Sequence, residues 1–297
     1  MPSSVPSIDP SLAALLGRVW SRLPAAAARA EAMGFAWAAV STPFVRREGQ
    51  RVVGHVGVIE LPLVIAGRRT SVASIHAVCT DPERRGRGLG RALMAEALAA
   101  CDGRYDTVVL TTAIPDFYAP FGFRRVAEHA FVRPVPPAWR RPPSSARILT
   151  EQPEDVRRLH RLLAERAPVS ARLGSREDGT VFVVALLLTW AGFSRVHYHA
   201  ALDVLTVHEV QGRTLVLYDV VGAAIPPLEA LIGAIDADVD RVLTLFCPDQ
   251  LADDFAAEPW DETRAAALGD TAFAGLMARG ALAVDGTPFM LPALTRT

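Results

Sequence analysis

The sequence predicts an α/β (α+β) chain of two domains, and three observations carry that expectation. Stretches alternating at period two and bounded by turn residues are interleaved with alanine- and leucine-rich stretches at helical spacing. The order strand, helix, hairpin, helix, strand in the back half is similar to that of the front half. Between the halves, from Pro134 to Ser145, runs a proline-rich segment that cannot sustain helix or sheet ladders, because proline lacks the donor and fixes φ. These features place a first domain at 1–134, a linker at 135–145 and a second domain at 146–297.

Each element follows from its local pattern. Residues 1–10, rich in Pro and Ser, read as a loose tail. From Ser11 to Met33 apolar residues recur at helical spacing, with Pro24 ending one helix or beginning another. Arg51 to Leu61 reads as a strand, Ala66-Gly67-Arg68-Arg69 as a turn and Ser71 to Thr80 as the returning strand. Arg87 to Cys101 is a helix with Leu89, Leu93, Ala97 and Leu98 near one face. Asp106 to Thr112 is the next strand; it leads through Ile114 and Pro115 into a short helical turn, then Phe121-Gly122-Phe123 and a strand at Arg125 to Arg133. Beyond the linker, Arg147 to Thr150 is a short strand and Glu154 to Glu165 a helix. Val204 to Val210 and Thr214 to Val220 form a hairpin, followed by a helix at Pro227 to Ile235 and a strand at Val239 to Phe246.

Composition bounds the function. Hydrophobic residues make up 51% and charged residues 21%, as in a globular protein. The longest apolar run, Val181 to Leu188, is well short of the roughly 20 residues that span a bilayer, so no membrane segment is expected. The start of the chain lacks the basic flank and apolar stretch of a secretory signal, and three scattered cysteines make neither a disulfide framework nor a zinc site. A cytoplasmic protein without a metal is expected. His197, His199 and His208 have no cysteine and no ligand-like acidic spacing beside them, which argues for ordinary strand and loop histidines. Up to Arg147 there are 19 Arg against 11 acidic residues, a net +8; from Ile148 onward 12 Arg against 21 acidic residues give −9. The front half suits an anion, while the back half leans toward a cationic small molecule. No interleaving of basic and aromatic residues, recognition helix or basic tail suggests nucleic acid.

The most specific signal is Arg85-Gly86-Arg87-Gly88-Leu89-Gly90-Arg91, between a strand and an alanine-rich helix. Glycines clear space for close backbone approach to an anion, and the new helix offers unpaired N–H groups. A Walker loop needs Gly-Lys-Ser/Thr, and this chain has no lysine; a Rossmann fingerprint needs G-x-G-x-x-G, and the spacing here is G-x-G-x-G. The run Arg-x-x-Gly-x-Gly from Arg85 to Gly90 resembles the acyl-CoA pyrophosphate loop of the GNAT family of N-acetyltransferases. Phe117-Tyr118-Ala119-Pro120-Phe121-Gly122-Phe123 resembles that family's Tyr-x-x-x-Gly-Phe motif, although Pro120 departs from the polar residue expected there.

The resemblance implies two GNAT-like domains, each a mixed, mostly antiparallel twisted sheet flanked by helices with a splayed central strand pair. It implies acetyl-CoA as acyl donor, its diphosphate held by Arg85, Gly86, Arg87, Gly88, Gly90 and Arg91, and its pantetheine arm on the backbone of Val78 and Thr80. It implies direct attack by a primary amine, with Tyr118 protonating the departing thiolate. A phenol of pKa about 10 keeps its proton at neutral pH. Alternation along the strand puts Ser74, His76 and Val78 on one face, and His76 lies where some relatives carry a proton acceptor. His55, Glu60 and the terminal carboxylate of Thr297 are weaker candidates for that base. Cys79, on the face opposite His76, reads as a buried inert thiol. In the back half Val221 to Pro227 has one glycine and no arginine, so that copy is expected to lack the cradle and to serve substrate binding or assembly. The acceptor is expected to be a small amine; a homo-oligomer is compatible with the sequence. A non-catalytic acyl-CoA sensor and an acetyltransferase acting on protein or RNA are the alternatives.

Overall fold

The computed structural model describes residues 7–139, 146–176, 179–190, 192–235, 238–269, 274–282, 284 and 286–296. Most of the expected tail, residues 140–145 of the expected linker and Thr297 lie outside the described residues. Asp9 caps the first helix, α1 (Pro10–Val19), its side chain accepting from the Leu12 amide at 2.9 Å, with Pro10 in the first turn where a missing N–H costs nothing. Pro24 begins rather than ends a helix, standing in the first turn of α2 (Leu23–Ala32). The short α3 (Trp37–Val40) leads into β1 (Ser41–Glu48), β2 (Arg51–Ile65) and β3 (Arg68–Thr80), an antiparallel run. The β2–β3 turn holds Ala66 and Gly67 at φ +48° and +76°, the left-handed pair that a two-residue hairpin loop requires. Then come α4 (Leu89–Cys101), β4 (Thr107–Thr112), α5 (Pro115–Tyr118), β5 (Arg124–Arg125) and β6 (Glu128–Pro134).

The back half opens with β7 (Arg147–Ile148) and α6 (Pro153–Ala164). Buried Asp155 joins them, accepting from Arg147 at 2.9 Å and from the Thr150 amide and hydroxyl. β8 (Leu173–Ser175), α7 (Gly179–Trp190) and β9 (Val196–His199) follow, then the hairpin of β10 (Val204–Gln211) and β11 (Thr214–Val221). The chain continues through α8 (Leu228–Ala234), β12 (Arg241–Thr244), β13 (Ala256–Trp260), α9 (Glu262–Ala267) and β14 (Gly275–Gly280).

The strands make two sheets. The first runs β1-β2-β3-β4-β14-β5 with β8 added to β2; the second runs β13-β6-β12-β11-β10-β9-β7. In each, one pair is parallel, β3 with β4 and β11 with β12, and every other pairing is antiparallel. The mixed, mostly antiparallel architecture is as expected. The sheets do not part at the proline-rich segment, however. β6 from the front half lies between β12 and β13, and β14 from the back half lies between β4 and β5. Each half lends a strand to the other's sheet at the corresponding place beyond the parallel pair, and the back half adds β8 at the β2 edge as well. Cutting at 134 and 146 therefore divides the chain but not the sheets. The start of the expected linker is itself docked: Val135 is buried and its amide donates to the Asp240 carbonyl at 2.8 Å.

The largest hydrophobic cluster draws on both sheets, with Leu61 and Leu63 of β2 and Leu205 and Val207 of β10 gathered around α7. Val181, Phe182, Val183, Val184, Leu186 and Leu187 of that helix are all buried, which explains the longest apolar run in the sequence: a helix enclosed on every side has no polar face. Among the described residues no helix is long and apolar enough to cross a membrane.

Candidate functional site

The site begins with an irregularity in β3. Its pairing with β2 jumps from His55 opposite Cys79 to Gly57 opposite His76, so Ala77 and Val78 together oppose Val56. Ala77 takes up the extra residue at φ +47°, a left-handed conformation costly for a residue with a Cβ. The Ala77 carbonyl is met by His55 Nδ1 at 2.8 Å. This insertion resets the alternation beyond it and corrects one expectation. Val78 packs toward the α4 cluster with Ile75, while Cys79 packs with Leu12, Leu15 and Leu16 of α1, so Cys79 and His76 do not divide by simple parity. Burial pushes the Cys79 thiol up to about 12, which leaves it inert.

On its other edge β3 is paired with β4 only at Ala73–Val108 and Ser74–Val109. Beyond those residues the strands part, and among the described residues this edge of β3 from Ile75 to Thr80 has no strand partner. The glycine-rich loop follows directly. Gly86 and Gly88 stand at φ +75° and +77°, and a Cβ built on either meets no atom within 4 Å. Backbone conformation, not crowding, calls for these glycines, and the space beside them is open. Gly88 is the N-cap of α4 without a side-chain cap, so the helix starts two residues later than expected and its first amides point out unbonded to side chains. Arg85, Arg87 and Arg91 are exposed and hold no hydrogen bond or ion pair among the described residues. Gly90 lies within α4, where a Cβ would make an ordinary contact with Thr80 Oγ1 at 3.4 Å.

Both expected catalytic side chains reach one cavity. It has a volume of about 490 Å³, lies in the mouth of the splay and is lined by Ile75 to Val78, Leu110 to Ile114 and Tyr118. The opposite wall consists of Trp20, Leu23 and Trp37 with Val184 and Leu188 of α7, so the back half contributes directly. Tyr118 is buried, its ring edge-on to Phe117 at 4.9 Å and its hydroxyl close to the Thr112 side chain. Burial pushes this phenol up to about 12. His76 is buried, edge-on to Trp37 at 4.9 Å, with Nε2 2.9 Å from Ser41 Oγ. Its Nδ1 is enclosed and has no hydrogen-bond partner among the described residues. Burial, with the nearby His55, pushes the ring down to about 3. Gly57 makes room for it, since a Cβ there would fall 2.1 Å from Nε2. Glu60 turns away and accepts from Tyr105 at 2.8 Å, and Thr297 lies outside the described residues.

Comparison with known proteins fits this geometry. Residues 15–126 match the model of the acetyltransferase (GNAT) domain. Over this segment the chain is similar to GNAT acetyltransferases. Beyond it, likeness of fold extends over nearly the whole chain. A conserved protein of unknown function from Enterococcus faecalis V583, described as a probable N-acyltransferase, is similar over 92% of this chain and 70% of its own, with TM-score 0.53 and 16% identity. Eis1 from Mycobacterium abscessus is similar over 88% and 71%, with TM-score 0.50 and 16% identity. At such identity the likeness concerns the fold alone. No curated protein matches the chain.

The loop of left-handed glycines at 86 and 88 has no counterpart at the matching place in the back half. Gly222 is not among the glycines of positive φ, and a Cβ on it would fall 2.7 Å from Val204 Cγ1, so this glycine serves close packing against β10 while Ala223 and Ala224 beyond it are exposed. His197, His199 and His208 cluster around Thr206. Thr206 Oγ1 lies 2.8 Å from both His199 Nε2 and His208 Nδ1, and His197 stacks on His208 with centroids 4.0 Å apart. Among the described residues no group of three His, Cys, Asp or Glu could hold a metal. Burial pushes His199 down to about 4 and His208 down to about 3.

An acid sensitivity follows. Unfolded, these histidines and His76 take up protons below about pH 6.5; folded, they stay neutral. Stability is therefore complete above that pH and falls as pH drops toward 4, by up to about 1.4 kcal/mol per pH unit for each ring. The urea midpoint is expected to be clearly lower at pH 5 than at pH 7. Equal midpoints would mean that the rings are protonated in place.

Proposed function

We propose that this protein transfers the acetyl group of acetyl-CoA to a primary amine by direct attack. The observation that carries this reading is one juxtaposition: an open loop with two left-handed glycines and three unengaged arginines ends on the same splayed strand whose cavity holds Tyr118 and His76. The loop from Arg85 to Arg91 suits a diphosphate, which gains from several amides and guanidinium groups acting together. The unpartnered edge of β3 at Val78 and Thr80 suits the amide-bearing arm, in the manner of an added strand. Acetyl-CoA supplies an activated acetyl group and departs as a thiolate.

The chain supplies proton handling and positioning. Tyr118, whose burial holds its proton well past neutrality, is the acid facing the leaving sulfur. His76 is the proton acceptor, and its low basicity limits what it can do: it cannot strip an alkylammonium of pKa about 10.4. The amine must therefore arrive neutral and give up its proton only as attack makes its nitrogen acidic. Walls of Trp37, Leu23 and Leu188 favour this, because an apolar site disfavours the ammonium form. Among the described lining residues of this cavity there is no Asp or Glu, so a small cationic acceptor finds no support in it.

The cradle is tested by Gly88→Glu. Left-handed φ at a residue with a Cβ costs about 1–2 kcal/mol, too little to unfold the chain, but the new carboxylate stands where the diphosphate would lie. CoA affinity by calorimetry is expected to fall at least tenfold while the melting transition persists. Undiminished affinity would remove the loop from the proposal, and absence of CoA binding by the unaltered protein would remove the proposal itself.

A further inference from the structure

The cavity that holds Tyr118 and His76 adjoins a second one of about 760 Å³, and the two share Thr111, Ala185, Leu188, Ala274 and Arg296 as lining. The outer space is aromatic, with Trp190 edge-on to Tyr218 at 4.7 Å and Trp260 nearby. One carboxylate, Glu209, lines it among the described residues, and that carboxylate is spoken for. Tyr218 donates to it at 2.5 Å, Gln211 at 3.1 Å and Arg195 Nε at 2.8 Å. Three arginines, Arg22, Arg195 and Arg296, line the same space. Arg195 is matched by Glu209, and Arg296 by Glu128 at 2.6 Å. Arg22 has no ion pair among the described residues; its guanidinium donates only to the Leu187 carbonyl, at 3.4 Å. It lies in the chain between Trp20 and Leu23, which both line the inner cavity.

Charge and surface thus disagree with the acidic composition of the back half. A polyamine or another polycation entering here would shed water from several charges and meet no free carboxylate among the described residues. An aryl or branched-alkyl body would instead exchange water for indole and aliphatic walls, and an acidic group on it would meet an uncompensated guanidinium.

We propose that the acceptor is an apolar, preferably aromatic, amine bearing one acidic group, its body in the adjoining cavities and its anion at Arg22. This rests on the acetyl-transfer reading above and specifies its substrate. The test compares kcat/KM of the full chain, with acetyl-CoA as donor, for spermidine, phenethylamine, phenylalanine and 4-(2-aminoethyl)benzoate. Phenethylamine is expected to exceed spermidine at least tenfold. The better of the two carboxylated amines is expected to exceed phenethylamine at least tenfold again, and Arg22→Ala is expected to abolish that second gain. Preference for spermidine, or a carboxylate gain that survives Arg22→Ala, would overturn the proposal. So would a rise in kcat/KM on replacing acetyl-CoA by hexanoyl-CoA with no turnover of arylalkylamines, which would give the inner cavity to the acyl chain. If no amine is turned over, calorimetry separates the failures: retained CoA binding refutes this acceptor, and lost CoA binding refutes acetyl transfer as well.

Discussion

Truncation of the chain after residue 146 will leave a front half that does not fold. β14 pairs with β4 along six residues, Gly275 to Gly280, and with β5 at Met277 and Ala278, so its loss opens the first sheet between two strands. Leu276 and Met277 are buried, and burial of such side chains contributes about 1.5–3 kcal/mol each. The cut also removes α7 from the main core and exposes the α2 and β2 residues packed around it. Domains have only about 5–15 kcal/mol to lose. The truncated chain is expected to be insoluble, or to lack a cooperative thermal transition by circular dichroism. Met277→Pro in the full chain isolates the strand itself: it removes a ladder donor from a strand paired on both sides and is expected to cost at least about 3 kcal/mol. A soluble 1–146 fragment that melts cooperatively and binds CoA would show that the first sheet closes without its borrowed strand.

Tyr118→Phe is expected to reduce kcat by about 10²–10⁴-fold while leaving CoA affinity within a few-fold of the original. The phenyl ring keeps the packing against Phe117 and Phe123 and loses only the hydroxyl. Affinity is read by calorimetry and turnover by release of free thiol. An unchanged rate would strip Tyr118 of the acid role. A protein that binds CoA but shows no turnover in either form would be the non-catalytic acyl-CoA sensor.

Some of this site could be read from the residues alone, and the reason is locality. Gly86 and Gly88 announce themselves because left-handed backbone and a helix start leave a mark within a few residues, and Tyr118 stands at a fixed distance from Gly122 and Phe123. Ala77 leaves no such mark. An alanine forced to positive φ by strand pairing looks like any alanine, so simple alternation misplaced Cys79 relative to His76. Ser41, which meets His76, and Trp20, Trp37 and Leu188, which wall the cavity, come from elements distant in sequence. Their composition says buried or half-buried but not against what. The same limit hid the exchange of β6 and β14, since period-two patterning specifies a strand and one apolar face but never the neighbouring strand. The acidic excess of the back half misled for a related reason: many of its carboxylates, such as Asp155 and Asp203, are consumed by arginines outside the cavity.

The crossing of β14 also governs how the molecule comes into being. Translation delivers Thr107–Thr112 early, yet the segment that covers its edge emerges only after more than half the chain has been added. A nascent polypeptide therefore carries an unsatisfied strand margin until residues 275–280 are made, an invitation to pair with a neighbouring nascent copy. Final closure joins residues far apart in sequence, which slows folding through the entropy of bringing them together. The vulnerable moment is the interval before that strand slots home.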